Sequence, residues 1–206
     1  MIGVIDYGVG NLFSLRSSLE RIGAQVEITS DPARIRQAEK LILPGVGAFA
    51  DAAKKLRDSG LDDLIREQAA QGKEILGICL GMQLLFEKSY EFGEHEGLGL
   101  LAGSVVPMEG TIPASLKIPH IGWNALHFTR ESKLLRFIQN EDCVYFVHSF
   151  YATDCSDSII ATAEYGKELT AAVQNDNIMG CQFHPEKSGP VGLNILRAFC
   201  EREETT

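Results

Sequence analysis

The chain has 206 residues, 45% of them hydrophobic and 23% charged, and a formal net charge of −9. This length and composition predict a single domain, residues 1–206, with a sizeable core. The acidic charge, without any Lys/Arg-rich run, argues against a nucleic-acid-binding or anionic-membrane surface. The expected partners are therefore small molecules or another protein.

The cysteines indicate a reducing compartment. Their odd number and the lack of any C-x-x-C pair favour free thiols over a disulfide framework. The first six residues read as a strand without a basic leader region, and no apolar stretch approaches the length of a membrane span. A cytoplasmic location is therefore expected. The five cysteines are Cys79, Cys143, Cys155, Cys181 and Cys200.

The chain opens with an apolar strand at residues 2–6, a glycine-containing turn at Tyr7–Asn11 and an amphipathic helix to about Arg21. A Gly-x-Gly turn after a first strand is typical of dinucleotide sites. Here Phe13 occupies the place of the third glycine, which disfavours such a site. The pattern instead predicts a tight turn, and no cofactor or metal is expected.

Strands and helices continue to alternate along the first half. This alternation predicts an α/β fold: a doubly wound, mostly parallel sheet flanked by helices, with ligands at the carboxyl ends of its strands. The turns at Tyr7–Asn11 and Pro44–Gly47 should therefore meet the segment after residue 78 at one edge. The predicted strands are residues 25–29, 41–43 and 74–78, and the predicted helices begin at Pro32 or cover 48–57 and 61–70.

The segment from Glu74 to Phe86 has the pattern of a nucleophile elbow, a strand and a helix joined by Gly-x-Cys-x-Gly. Gly77 and Gly81 would remove side chains that collide in so sharp a turn. The helix start would favour the thiolate of Cys79, and the N–H of Leu80 would donate to an oxyanion. The alternative is a small buried cysteine that lies between glycines by chance.

From about Gly99 the chain changes to short strand-like runs broken by Gly, Pro and Asp turns, which predicts additional antiparallel strands. A closing helix is expected from Gly192 to about Glu201. The predicted strand-like runs are residues 103–107, 118–121, 124–128, 143–147, 158–163, 170–175 and 178–183.

The best partner for Cys79 is His184, which follows the strand-like run at 178–183. Glu186 lies two residues on, where an extended chain returns side chains to the same side. Among the five histidines, only His184 has a carboxylate at this offset. Cys79, His184 and Glu186 would form a nucleophile, a base and an orienting acid. By itself, His-Pro-Glu is more often a surface turn.

These motifs resemble those of the class I, triad-type glutamine amidotransferases over essentially the whole chain. The resemblance rests on the elbow, the Pro44–Gly47 turn, His148–Phe150 and Phe183–Glu186. It implies that the Cys79 thiolate attacks the side-chain amide of L-glutamine, that His184 transfers protons and that Glu186 orients it. It further implies that the oxyanion donors are Leu80 with Val46 or Gly47. The implied substrate contacts are Gln83, Glu91, His148, Ser149 and Phe150.

Asp6–Leu12 and Pro119–Asn124 further resemble the histidine-biosynthesis branch of this family. That resemblance implies a heterodimer in which ammonia passes to a cyclase subunit with a (β/α)8 barrel. Ordinary roles remain open for the docking residues: core packing for Trp123 or Tyr145, a helix cap for Asn11, a solvated charge for Lys187. The implied docking residues are Asn11, His120, Trp123, Tyr145 and Lys187.

Three other functions remain open on the sequence. Another amidotransferase glutaminase would share the triad and differ only in the partner that accepts ammonia. A stand-alone cysteine hydrolase or peptidase is disfavoured by Gln83 and by His148–Phe150. A catalytically silent binding subunit is disfavoured by the intact set of Cys79, His184 and Glu186.

Overall fold

A computed structural model describes residues 1–201; the last five residues of the predicted domain, 202–206, lie outside the described part. The helices are α1 (Leu12–Arg21), α2 (Pro32–Gln37), α3 (Phe49–Asp58), α4 (Leu61–Ala70), α5 (Leu80–Leu84) and α6 (Gly189–Cys200), with 3₁₀ turns at Lys133–Leu135 and Pro185–Lys187. The strands are β1 (Ile2–Ile5), β2 (Val26–Thr29), β3 (Lys40–Leu43), β4 (Glu74–Ile78), β5 (Phe86–Ser89), β6 (His95–Glu96), β7 (Leu101–Pro107), β8 (His120–Ala125), β9 (His127–Phe128), β10 (Cys143–His148), β11 (Phe150–Thr153), β12 (Ile159–Glu164), β13 (Glu168–Asn175) and β14 (Ile178–Cys181).

The central sheet has eight strands in the order β2-β1-β3-β4-β14-β13-β12-β9. The first five run parallel, whereas β13, β12 and β9 extend the sheet with antiparallel pairings. The predicted α/β class, with a mostly parallel sheet and added antiparallel strands, is therefore confirmed. A four-stranded sheet, β11-β7-β5-β6, and a two-stranded ribbon, β10-β8, complete the described strands.

Helices cover both faces of the central sheet, which explains why its strands are short apolar runs. Every residue of β1 and β3 is buried. On one face, Phe49 of α3 and Ile65 of α4 pack into a hydrophobic cluster. On the other face, Leu19 of α1 and Phe199 of α6 belong to a second cluster. This double cover leaves the ends of the strands as the places where loops form a site.

Three features of the prediction differ from the structure. The helix after the elbow has only five residues, Leu80–Leu84, and the chain then enters β5, which pairs with β7. The pattern missed β5 and β11, which pair with β7 elsewhere in the chain, and β6, which has only two residues. The closing helix begins at Gly189, three residues before the predicted start.

The predicted free thiols are confirmed, since all five cysteines are unpaired. Within residues 1–201, no helix combines the length and apolar character needed to cross a membrane.

Candidate active site

Neighbouring parallel strands bring Cys79 and His184 to the same edge of the sheet. Strands β4 and β14 pair in parallel, with Ile78 opposite Cys181. Cys79 follows β4 directly, and its N–H donates to the carbonyl of Cys181 at 2.8 Å. His184 lies three residues beyond the end of β14. Two residues more than a hundred positions apart therefore reach the same cavity.

The elbow has the strained backbone that the motif predicts. Cys79 has φ 54° and ψ −113°, a conformation that non-glycine residues adopt rarely and at a cost of about 1–3 kcal/mol. A Cβ at Gly77 would lie 2.6 Å from the carbonyl oxygen of Gly81, and one at Gly81 would overlap the Leu43 carbonyl. Both glycines are therefore required sterically, as the sequence predicts.

His184 interacts with both Glu186 and Cys79. Its Nδ1 atom lies 2.8 Å from Oε1 of Glu186, and the ring is close enough to the sulfur of Cys79 for that group to affect its pKa. Burial alone would lower the pKa of His184, but the interactions with Cys79 and Glu186 and their negative charge raise it to about 9. The imidazolium is therefore the stable form of His184 at neutral pH.

The expected geometry behind the His184–Glu186 pair is wrong, although the pair itself forms. His184 is extended, with φ −100° and ψ 96°, but Pro185–Lys187 form a 3₁₀ turn rather than continuing the extended chain. The turn brings the Glu186 carboxylate back to the ring. Both side chains are almost fully buried, and Oε2 of Glu186 has no hydrogen-bond partner among residues 1–201.

A cavity of about 410 Å³ opens beside Cys79. It collects the predicted nucleophile, base, oxyanion donors and substrate contacts on one surface, whereas Glu186 lies behind His184. The cavity wall consists of Val46, Gly47, Cys79, Leu80, Gln83, Glu91, Pro119, Val147, His148, Ser149, Phe150, His184 and Lys187.

Polar groups on one wall are oriented by the carbonyl of Phe150. This oxygen accepts from Nε2 of Gln83 at 3.2 Å and from Nδ1 of His148 at 2.9 Å. On the same wall, a carboxylate oxygen of Glu91 accepts from the N–H of Phe49 at 2.9 Å. Burial raises the pKa of Glu91 above its ordinary value.

A pair of buried histidines supports the His148–Phe150 segment from behind. His148 Nε2 lies 3.1 Å from His120 Nδ1, in register between β10 and β8. Since Nδ1 of His148 donates to the Phe150 carbonyl, its Nε2 accepts from His120. Burial lowers the pKa of both rings, that of His148 to about 4. Both are therefore neutral at pH 7.

Two buried residues near the sulfur were not predicted. Nε2 of Gln182 donates to Sγ of Cys79 at 3.7 Å, and Oε1 of Gln182 accepts from Gln83 at 3.0 Å. Tyr7 donates from its hydroxyl to the carbonyl of Pro44 at 2.7 Å, where the Pro44–Gly47 turn begins. A signal for Gln182 existed, because an amide two residues before His184 interrupts an apolar run.

The predicted docking residues separate into exposed and buried positions. Trp123 is 58% exposed, and its ring meets that of Tyr145 edge-on, with centroids 6.2 Å apart. Lys187 is exposed, with Nζ 6.0 Å above the Tyr145 ring, and Asn11 is partly exposed and caps α1. The surface position expected for His120 is wrong. It is 3% exposed, because its ring is stacked on those of Phe146 and Tyr165.

Comparisons with known proteins give consistent results. A family model described as glutamine amidotransferase class-I matches residues 3–202. A protein of Sulfurimonas denitrificans named imidazole glycerol phosphate synthase subunit HisH is 52% identical over 202 residues, 97% of each chain. The Wolinella succinogenes protein of the same name is 46% identical over 203 residues, 98% of this chain and 99% of the relative. The solved structure of PurLQS from Thermotoga maritima, 22% identical, shares the fold with a TM-score of 0.75 over 96% of each chain.

Proposed function

This chain belongs to the class-I glutamine amidotransferases, and from that membership we propose that it is the glutaminase subunit of an imidazole glycerol phosphate synthase. It hydrolyses L-glutamine to glutamate and ammonia and passes the ammonia to a cyclase subunit. The observation that carries the proposal is that Cys79 and His184 line the same cavity. Glu186 hydrogen-bonds Nδ1 of the His184 imidazole, on the side away from that cavity.

The reaction begins when the Cys79 thiolate attacks the side-chain carbonyl carbon of glutamine. The resulting oxyanion accepts hydrogen bonds from the N–H of Leu80 and from Val46 or Gly47, each on the order of 3 kcal/mol. His184 donates its proton to the leaving nitrogen, so ammonia departs and a thioester remains. His184 then takes a proton from water, which attacks the thioester and releases glutamate. Glu186 holds the ring in place throughout.

The cavity wall also fits the amino-acid end of glutamine. Both N–H groups of Gln83 are used, on Phe150 and on Gln182, so its Oε1 faces the substrate as an acceptor. This oxygen and the Glu91 carboxylate bind the α-ammonium group. The backbone of Ser149 and Phe150, held from behind by His148, binds the α-carboxylate. The three donors of an ammonium need such acceptors, whereas a peptide substrate lacks a free α-ammonium at this position.

The Pro44–Gly47 turn has a fixed root and a freer tip. Gly45 packs so closely that a Cβ would lie within 2.9 Å of Leu80 Cβ and of the Tyr7 hydroxyl. In contrast, Val46 is 42% exposed, and a Cβ added at Gly47, whose φ is 96°, would have no atom within 4 Å. We propose that the tip rearranges when the partner binds, which makes hydrolysis slow in the isolated chain.

The exposed ring of Trp123 marks the proposed docking face for the cyclase, a (β/α)8 barrel. Exposed Ile121 belongs to the same strand, and Lys187 lies both on this face and on the glutamine cavity. Tyr145 and Asn11 complete the face, whereas the side chain of His120 is excluded from it. Enclosure by the partner would protect ammonia from becoming ammonium, which is not a nucleophile.

The test uses the chain in complex with its cyclase. Cys79→Ala should abolish synthesis that depends on glutamine and leave synthesis from added ammonium salts intact. Cys143→Ser, which changes an exposed thiol, is the matched control and should retain both activities. Glutaminase turnover that persists in Cys79→Ala would contradict the proposal.

The identity of the acceptor needs a separate experiment. Affinity capture with this chain should recover the cyclase, and the glutaminase assay should be repeated with and without it. Capture of a different amidotransferase acceptor would favour another glutaminase of the same fold. Rapid hydrolysis of peptides or of unrelated amides would favour a stand-alone cysteine hydrolase.

A further inference from the structure

A buried amide connects the nucleophile to the glutamine-binding wall. Gln182 is 0% exposed and lies between β14 and His184. Its Nε2 atom is 3.7 Å from Sγ of Cys79, and its Oε1 atom is 3.0 Å from Nε2 of Gln83. We propose that Gln182 stabilises the Cys79 thiolate by direct hydrogen bonding and at the same time fixes the orientation of Gln83. This inference rests on the proposed glutaminase function.

The directions of these hydrogen bonds follow from one atom whose role is unambiguous. The carbonyl of Phe150 only accepts, so the group of Gln83 that faces it at 3.2 Å is the NH₂. The remaining N–H of that group then donates to Gln182, which must present its oxygen. The opposite end of the Gln182 amide, its NH₂, therefore faces the sulfur.

The anionic form of the sulfur consequently has two favourable side-chain neighbours. The His184 imidazolium supplies a positive charge, and the Gln182 amide donates a hydrogen bond at 3.7 Å. A hydrogen bond to the charged form of a group favours that form, and burial of an unpaired charge would disfavour it. Gln182 thus supplements His184 and restricts where the sulfur lies relative to the cavity.

The Gln182 amide contacts both the Cys79 sulfur and the side chain of Gln83, which is proposed to bind the substrate. Without Gln182, one N–H of Gln83 would lose its partner, and its side chain would rotate away from the orientation that directs Oε1 into the cavity. A purely structural role for Gln182 would instead affect stability alone. The two roles differ in their effect on thiol reactivity, which is measured without glutamine.

The experiment is the rate of Cys79 alkylation by iodoacetamide between pH 5 and 10, in a Cys143→Ser background so that this exposed thiol does not react. Gln182→Met, which keeps the volume and loses the donor, should lower the rate at pH 7 about tenfold and move the midpoint upward by about one pH unit. Gln182→Glu should move the midpoint of the alkylation rate upward by at least as much. Gln68→Met replaces another buried glutamine, on α4, and should leave the midpoint unchanged.

Steady-state kinetics of the cyclase complex provide the second readout. Gln182→Met should lower kcat and raise KM for glutamine, whereas Gln83→Leu should raise KM with a smaller change in the alkylation midpoint. If Gln182→Met does not fold, the comparison is made with Gln182→Glu. A midpoint within 0.2 pH units of the unmodified protein in the folded variant would overturn the inference. Failure of the glutaminase function is recognised separately, by persistent turnover in Cys79→Ala.

Discussion

Nδ1 of His184 lies 2.8 Å from Oε1 of Glu186, and only Pro185 separates the two residues in the chain. The carbonyl of His184 accepts from the Ser188 hydroxyl at 2.7 Å and from the N–H of Lys187 at 3.0 Å. The backbone on both sides of the proline is thus fixed. The proposed catalytic base and its proposed orienting acid therefore form one rigid unit.

Glu186→Gln should retain the shape of this unit and remove its charge. We expect kcat for glutamine hydrolysis to fall by roughly 10²–10⁴-fold, because the imidazolium loses its counter-charge and its fixed tautomer. The pKa of His184, about 9 in the intact site, should fall, so the alkaline limb of kcat/KM should move to lower pH. The measurement is a pH profile of glutaminase activity from pH 6 to 10.

The matched control for that variant is Glu168→Gln. Glu168 pairs with His127 at 3.1 Å, but this carboxylate–imidazole pair is on the surface. The control should leave both kcat and the alkaline limb unchanged. A Glu186→Gln enzyme with an unchanged pH profile would show that the carboxylate does not act on His184.

Gly81→Ala should destabilise the fold as well as inactivate the enzyme. Its Cβ would overlap the Leu43 carbonyl, which is backbone and has no room to move within the sheet. We expect the free energy of unfolding to fall by about 3 kcal/mol or more, measured by urea denaturation. Gly72→Ala is the control: its φ is 82° but no atom lies within 4 Å of the added Cβ, so the loss should be about 1 kcal/mol. Equal losses in the two variants would contradict the steric argument.

The elbow was predictable from sequence because its motif is local. Gly77, Cys79 and Gly81 lie within five residues, and Gly77 removes a clash with Gly81 inside that segment, whereas the clash that Gly81 removes is with Leu43 of β3. The His184–Glu186 pair was predictable for the same reason, although the backbone that joins them was not. The meeting of Cys79 with His184 depends on the parallel pairing of β4 with β14, whereas the sequence pattern groups the run at 178–183 with the additional antiparallel strands.

The burial of His120 was not predictable from its neighbours in the chain. It ends up between Phe146 and Tyr165 because β8 pairs with β10, a register set by residues more than twenty positions away. Strand β5 was missed for a similar reason. Its apolar start continues the helical spacing of α5, and the pairing with β7 on one side and β6 on the other selects a strand.

Acid should destabilise the protein through His148. Burial lowers its folded pKa to about 4, below the ordinary value near 6.5, so the stability it contributes is present above pH 6.5 and is lost as the pH falls toward 4. Between pH 7 and 5 this loss should be about 2 kcal/mol, because the unfolded chain binds a proton that the folded chain excludes. His120, with a pKa also lowered by burial, acts in the same direction.

Denaturation at pH 7 and pH 5 of the unmodified protein and of His148→Gln isolates this contribution. The loss on acidification should be about 2 kcal/mol smaller in the variant. His184 acts in the opposite sense: with its pKa raised to about 9, its contribution is fully present below pH 6.5 and is lost as the pH rises toward 9. Since His184 is retained in both proteins, the difference between them belongs to His148. Identical pH dependence in the two proteins would refute this assignment.

Trp123→Ala should weaken the complex with the cyclase and leave the isolated chain as active as before. The indole is 58% exposed on strand β8, and a large aromatic ring at the centre of an interface typically supplies 2 kcal/mol or more. The expected Kd is therefore at least about thirtyfold higher, measured by isothermal titration calorimetry. Phe137→Ala is the control, because that ring contacts Arg197 near the end of α6, whereas Trp123 lies near Gly189 at its start. Since the proposed docking face excludes Phe137, its removal should leave Kd unchanged; equal affinities for the two variants would place the cyclase on another surface.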